Sequence, residues 1–251
     1  MALFTDGEIS ELGDLQALDS SILETAKTEG VDLTRKLLVA EEALALDLAA
    51  FLLRTQNVAG TVNHNAYDLS RVVVTREVRR WHSLRTLAEV YGDAYNSHLN
   101  DRYLGRWKHF TGLSRETAEL IYEVGIGLVD SPVPRSGAPA VSGSSSGGAL
   151  GTYLVQTSWI SATGEAGAAS PVVAFTAAEG ELPLVDNGAG PNGVAAFDVY
   201  VGFNGGPVTK QTGTPVPIGT SWTMPVSGLV TGPEPGTGQA PSYYVRRSRV
   251  R

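Results

Sequence analysis

The sequence predicts a multi-domain α plus β protein: an N-terminal α-helical bundle followed by a C-terminal β-sandwich. Three observations predict it. Composition shifts near residue 132, from Leu, Ala, Glu and Arg to Gly, Pro, Ser, Thr and Val. Apolar residues recur every three or four positions before that point, and in short alternating runs after it. Between the two regimes lie a proline-rich stretch (131–139) and a Gly/Ser-rich stretch (142–148), which together read as a linker. The expected division is a helical domain over 1–131, a linker over 132–149 and a β-sandwich over 150–251.

Leu15, Leu18, Ile22 and Ala26 follow at helical intervals, and Gly30 supplies a stop. Asp32 then caps a second helix carrying Leu33, Leu37, Leu44, Leu48 and Phe51 on one face. Residues 57–65, around Gly60, read as a loop, and Val72–Val74 as a short extended stretch. Thr75 caps a third helix whose stripe includes Val78, Trp81, Leu84, Ala88, Tyr91, Tyr95, Leu99, Tyr103 and Trp107. Continued to Phe110 it spans about 50 Å, with Gly92 and Gly105 as places for a kink or break. Ser114 caps a last helix with Leu120, Ile121 and Val124 inward, ended by Gly125 and Gly127. In the second half, strands are expected at 152–159, 171–176 and 196–201, the last followed by the turn Asn204-Gly205-Gly206. Shorter ones are expected at 216–218, 221–223 and 243–246.

The bulk numbers exclude several classes. Hydrophobic residues make up 42% of 251 and charged residues 18%, enough apolar material for a core. With 19 basic against 26 acidic side chains, the chain repels phosphate over most of its surface, which disfavours generic nucleic-acid binding. The absence of cysteine removes disulfides, thiolate nucleophiles and thiolate metal sites. No apolar run approaches the ~20 residues of a membrane helix, since Asp47 interrupts 43–53. The first residues lack the basic and apolar regions of a signal peptide, so folding in the cytoplasm is expected.

No catalytic spacing stands out. HExxH, GxSxG and a spaced acid pair are missing, and Gly125-Ile126-Gly127 lacks the later glycine of a phosphate loop. Of His64, His82, His98 and His109, His98 sits three residues from Asp101, near Asp93 and Asn100, but a metal site needs at least three converging ligands at defined geometry. No enzyme, cofactor or metal is expected. Asn96, Asn100, Asp101 and Arg102 sit among Tyr91, Tyr95 and Tyr103: either a polar subunit contact in which Arg102 pairs with a carboxylate, or a solvated helix face over an aromatic core. Arg76, Arg79, Arg80 and Arg85 around Trp81 and His82 face DNA, an acidic neighbour, or simply water. The candidate subunit interface is thus Arg79, Arg80, Trp81, Tyr91, Tyr95, Asn100, Asp101, Arg102 and Tyr103. The basic end Arg246, Arg247, Arg249 and Arg251 is a candidate contact with an acidic neighbour or DNA, or a frayed terminus. Trp159, Tyr200, Trp222, Tyr243 and Tyr244 form a sugar platform or a core.

The stretch YLVQTSWISATGEAGAAS (153–170) resembles the opening strands of fibronectin type III-like modules. Phe197-Asp198-Val199-Tyr200-Val201-Gly202 and Thr220-Ser221-Trp222-Thr223 continue the likeness over nearly all of 150–245, and the resemblance implies an immunoglobulin/fibronectin III-like β-sandwich there. Residues 22–33, 91–96 and 99–103 resemble phage and prophage proteins with a helical-plus-sandwich layout. In outline this is similar to the head-to-tail connector (adaptor) proteins of tailed bacteriophages, although those are mainly helical and the added sandwich departs from them. The resemblance implies a virion protein, made in the host cytoplasm, forming a homo-oligomeric ring (a dodecamer) beneath the portal. Its partners would be the portal and a tail or neck protein, with packaged DNA nearby and no membrane. The alternative is a neck, tail or decoration protein whose sandwich binds a host surface glycan or protein.

Overall fold

A computed structural model describes residues 1–57, 68–98, 101–178 and 180–247. The expected loop around Gly60 and the residues His64, Leu99, Asn100, Arg249 and Arg251 lie outside the described residues. Five helices are present, α1 (Leu12–Leu18), α2 (Ile22–Glu29), α3 (Leu33–Asn57), α4 (Arg76–His98) and α5 (Asp101–Val124), with a 3₁₀ turn at Leu69–Arg71. Ten strands follow: β1 (Ile126–Leu128), β2 (Ala140–Ser146), β3 (Gly151–Ser161), β4 (Val173–Ala177), β5 (Glu181–Asp186), β6 (Val194–Phe203), β7 (Thr209–Lys210), β8 (Val216–Pro217), β9 (Trp222–Thr223) and β10 (Tyr243–Val245). The protein is mixed α plus β, helical in its first half and antiparallel β in its second. It divides into two compact units: Gly7–Leu128 with Pro241–Arg251, and Val129–Ala240 with Met1–Asp6.

In the helical unit, the stop at Gly30 (φ 67°) is present, as is the cap in which Asp32 Oδ1 accepts from Arg35 N at 3.1 Å. Thr75 Oγ1 accepts from Val78 N at 3.4 Å at the start of α4. The single first helix expected from Leu15 to Ala26 is instead two. Asp19 Oδ1 accepts from both the backbone N (3.0 Å) and the hydroxyl (2.8 Å) of Ser21, a local turn that competes with helix continuation. The long third helix is also two. Trp81 meets Tyr122, Tyr91 stacks on Phe110 and Tyr95 stacks on Trp107. As numbers rise along α4 they fall along α5, so the pair is an antiparallel αα-hairpin. Gly92 permits its closest approach: a Cβ there would lie 3.1 Å from the Trp107 ring nitrogen. Gly105 breaks nothing. Ser114 caps nothing either; it is buried within α5, while Leu120 and Val124, expected inward, are exposed.

α4 is the central helix. Trp81, Leu84, Leu87, Val90, Tyr91 and Ala94 are all essentially buried, and so are His82, Ser83 and Thr86. α1, α2 and α5 supply most of the surrounding apolar side chains. The unit closes with an antiparallel ribbon in which Ile126 pairs with Val245 and Leu128 with Tyr243. Val73 N donates to Gly127 O at 3.0 Å. The strand expected at 243–246 therefore exists, but it belongs to the helical unit rather than to the sandwich, because its partner is β1.

The β unit holds two antiparallel sheets, one of order β2-β5-β9 and one of order β4-β3-β6-β7 with β8 also on β6. β3 and β6 form its spine, with Val155 opposite Val201 and Trp159 opposite Phe197. Inward side chains of both sheets share one core: Tyr153, Val155, Phe197, Val199 and Val201 from one, Leu182 and Val185 from the other. Most of the expected linker is part of this unit. β2 pairs with β5 from Ala140 opposite Asp186, and Val133 and Ser136 are buried. The Ser/Gly composition reads as a tether because it lacks apolar alternation. Here backbone pairing holds it, together with a buried polar knot: Ser136 Oγ lies 2.9 Å from Thr157 Oγ1, and Asn187 Nδ2 donates to Ser136 Oγ at 2.9 Å.

Candidate functional site

In the helical unit, the turn between α1 and α2 is pinned to the α4–α5 hairpin. Tyr91 Oη donates to Asp19 Oδ2 at 2.5 Å. Arg106 Nη1 donates to Tyr91 Oη (2.6 Å), Ser21 Oγ (2.6 Å) and Asp19 Oδ2 (3.2 Å), with its guanidinium 5.4 Å from the Tyr91 ring centre. Burial pushes the Asp19 carboxyl up, but the hydrogen bonds from Tyr91 and Ser21 and the Arg106 charge outweigh it and hold the group below the usual carboxylate range. Nearby, Tyr103 Oη donates to Glu29 Oε1 at 2.8 Å, which with burial pushes the phenol up. These contacts fix helix positions.

His82 is fully buried on α4. A carbonyl only accepts, so the ring Nε2–H donates to Leu37 O (3.1 Å) and Nδ1 accepts from the Ser10 hydroxyl (2.7 Å). Burial holds its pKa below the usual 6.5, against the opposing pull of the Leu37 carbonyl and Asp14. The unfolded chain therefore binds more protons than the folded one in this window. Stability is complete above pH 6.5 and falls as pH drops toward the folded value, by about 1.4 kcal/mol for each unit separating the two. Urea unfolding from pH 8 to about 5 is expected to show this decline. In His82→Gln the decline should flatten, and an unchanged slope would locate the titration elsewhere.

Two concave surfaces lie on this unit. A groove of about 440 Å³ runs along the hairpin, deep because Ala88, Thr111, Ser114 and Ala118 are small. Charges rim it: Asp47, Arg115 and the Arg85–Glu89 pair at 3.3 Å. A smaller cleft of about 250 Å³ is lined by Phe51, Arg54, Tyr122 and Arg247. Phe51 stacks on Tyr122 at 4.6 Å, and Arg247 covers the Tyr122 ring while pairing with Glu119 Oε2 at 2.8 Å. Burial first, then the nearby Asp47 charge, pushes the Tyr122 phenol up to about 12.

Convex apolar surface accompanies these hollows. Leu38, Leu46 and Leu53 project from one side of α3, with Leu46 73% exposed, and Leu120 and Val124 project from α5. Spacings of eight and seven residues keep the three leucines within one arc of the helix. The sequence carried this signal as surplus leucines beyond the inward set Leu44, Leu48 and Leu52.

The structure separates the expected interface residues. Trp81, Tyr91 and Tyr103 are buried in the core of their own unit, out of reach of a neighbouring subunit, and Tyr95 is half-buried on Trp107. Arg79, Arg80, Asp101 and Arg102 are exposed, and Arg102 lies over the Tyr103 ring. Asn100 lies outside the described residues. Of the basic end, Arg247 docks on the chain's own α5 and Arg246 is exposed. Of the candidate sugar platform, Trp159 and Tyr200 are buried in the β unit, and Tyr243 and Tyr244 stand on β10 in the helical unit. Among the described residues no three His, Asp or Glu side chains converge to hold a metal ion, and no helix is long and apolar enough to cross a membrane. No protein-family model matches the chain, and no curated protein is similar to it.

Proposed function

We propose that this protein is a non-enzymatic structural subunit that assembles with copies of itself, and that it serves in a tailed-phage virion as a head-to-tail connector ring beneath the portal. The observation that carries the self-assembly reading is the leucine face of α3. Its three exposed leucines lie two turns apart on one side of the helix, with Glu42 also exposed between Leu38 and Leu46, and exposed leucines gathered on one side are a feature of contact surfaces. The same unit bears the α4–α5 groove. A protrusion and a hollow on one molecule are the ingredients of a head-to-tail contact, which closes into a ring when the rotation per subunit allows. The virion assignment draws its support from the likeness of residues 22–33, 91–96 and 99–103 to phage proteins. The fibronectin III-like reading of the β unit is supported by its two antiparallel sheets over one core.

A second reading, a neck or decoration protein whose β unit binds a host surface protein, is favoured by exposed Leu150 and Val226. Mass measurement of the full chain, alone and with portal protein, tests the leading reading. A closed oligomer is expected. Leu46→Asp with Leu53→Asp should shift it toward monomer with helix content intact, since each leucine contributes about 1.5–3 kcal/mol on burial. A strictly monomeric wild type that ignores portal overturns the proposal.

A further inference from the structure

Charge divides unequally between the two units. The helical unit carries 17 basic against 18 acidic side chains, and the β unit 2 against 8. Both cations of the β unit are already engaged within it. Lys210 Nζ meets Asp198 Oδ2 at 2.6 Å, and Arg135 Nε donates to Ala169 O at 3.1 Å. Exposed carboxylates such as Asp186 and Glu234 thus project a net negative field that their own unit does not answer.

The helical unit presents the complement. Arg76, Arg79 and Arg80 occupy the first two turns of α4 at i, i+3 and i+4, all exposed. None forms an ion pair among the described residues, and residues 58–67 contain no carboxylate. Like charges at this spacing repel, and the positive end of the helix dipole adds to the cost. Glu77, exposed within the same turns, supplies one opposing charge, and an anionic neighbour relieves the remaining repulsion.

We propose that this arginine face of α4 docks on the acidic β unit of a second copy of the chain. The inference rests on the self-assembly reading and names its electrostatic contact. Such a contact joins unlike surfaces, so it repeats head to tail. A nucleic acid would meet the same arginines, but duplex DNA brings about one negative charge per 1.7 Å toward a chain of net charge -7, a denser field than the β unit's 2 basic against 8 acidic side chains. A second copy needs only to present its acidic unit to the basic face.

Sedimentation of the full chain at about 0.05 M and about 0.5 M salt, where screening differs severalfold, tests the idea. Association is expected to weaken at the higher salt. R76E/R79E/R80E should lower it roughly ten-fold or more at low salt. The reversal suits a helix N-terminus, and circular dichroism checks the fold. D186K/E234K should weaken it as well, and an equimolar mixture of the two variants should restore association, because each then carries the charge the other lacks. If wild type assembles and neither reversal nor salt alters it, the arginine contact is wrong while self-assembly stands. If the chain is monomeric throughout, both fall. If the reversal abolishes a mobility shift on duplex DNA and leaves self-association untouched, the face serves phosphate, and the second-copy contact is overturned.

Discussion

Trp81→Ala is expected to destabilise the helical unit by about 3–5 kcal/mol, the range for truncating a large buried aromatic. The side chain is 1% exposed and sits edge-on to Tyr122 at 5.7 Å, and Tyr122 in turn stacks on Phe51. One ring therefore ties α4 to α5 and, through Tyr122, to α3. Truncation leaves a void beside a groove that is already hollow, so neighbouring side chains have little to collapse onto. Urea unfolding followed by helical circular dichroism measures the loss. A loss below about 1 kcal/mol, or a defect confined to association, would return Trp81 to the subunit boundary.

The second large effect is expected in the β unit. Asp198 is 3% exposed on β6, where Oδ2 meets Lys210 and Oδ1 accepts from Thr212 Oγ1 at 2.8 Å. Asp198→Ala strands a buried hydroxyl and an ammonium group. Removing one member of a buried pair costs about 3–5 kcal/mol. Because the Lys210 side chain is 27% exposed and reaches water, about 2–3 kcal/mol is expected here. Replacing the pair by apolar residues, Asp198→Leu with Lys210→Met, should recover much of the loss, because no charge is left unpaired. Thermal unfolding of wild type, Asp198→Leu, Lys210→Met and the double variant forms a double-mutant cycle. A loss in the double variant equal to the sum of the two single losses would mean the pair contributes nothing beyond its packing.

Local rules carried the helix signals whose chemistry is local. Gly30, Asp32 and Thr75 each punctuate the chain where their φ preference or side-chain oxygen dictates. Outcomes set by distant partners were not legible. Ser142-Gly143-Ser144 has no apolar period, yet it forms a strand because residues 183–185 lie alongside it. Tyr243–Val245 alternates like a sandwich strand, and nothing local says that its partner is Ile126–Leu128. Leu120 and Val124 share a helical stripe with Ile121, but α4 covers only part of that arc, and the two end outside. For the same reason, aromatic content alone could not separate a subunit contact from a core at Tyr91 and Tyr103. The candidate site was legible as charge at Arg79 and Arg80, and not as shape, since the α4–α5 groove exists only once small residues far apart in sequence face each other.

The pairing of β1 with β10 also sets an order of events during synthesis. More than a hundred residues separate Leu128 from Tyr243, and closing so long a segment as open coil carries an entropic penalty that compaction of the segment reduces. The ribosome must complete the whole β unit before the last strand of the helical unit emerges, whereas Met1–Asp6, made first, wait for that β unit. The β unit is complete only once Ala240 has been made, and the helical unit only once Tyr243–Val245 has followed. Chains cut short near residue 240 should thus expose the edge of β1 and be preferred by quality-control proteases over the finished protein.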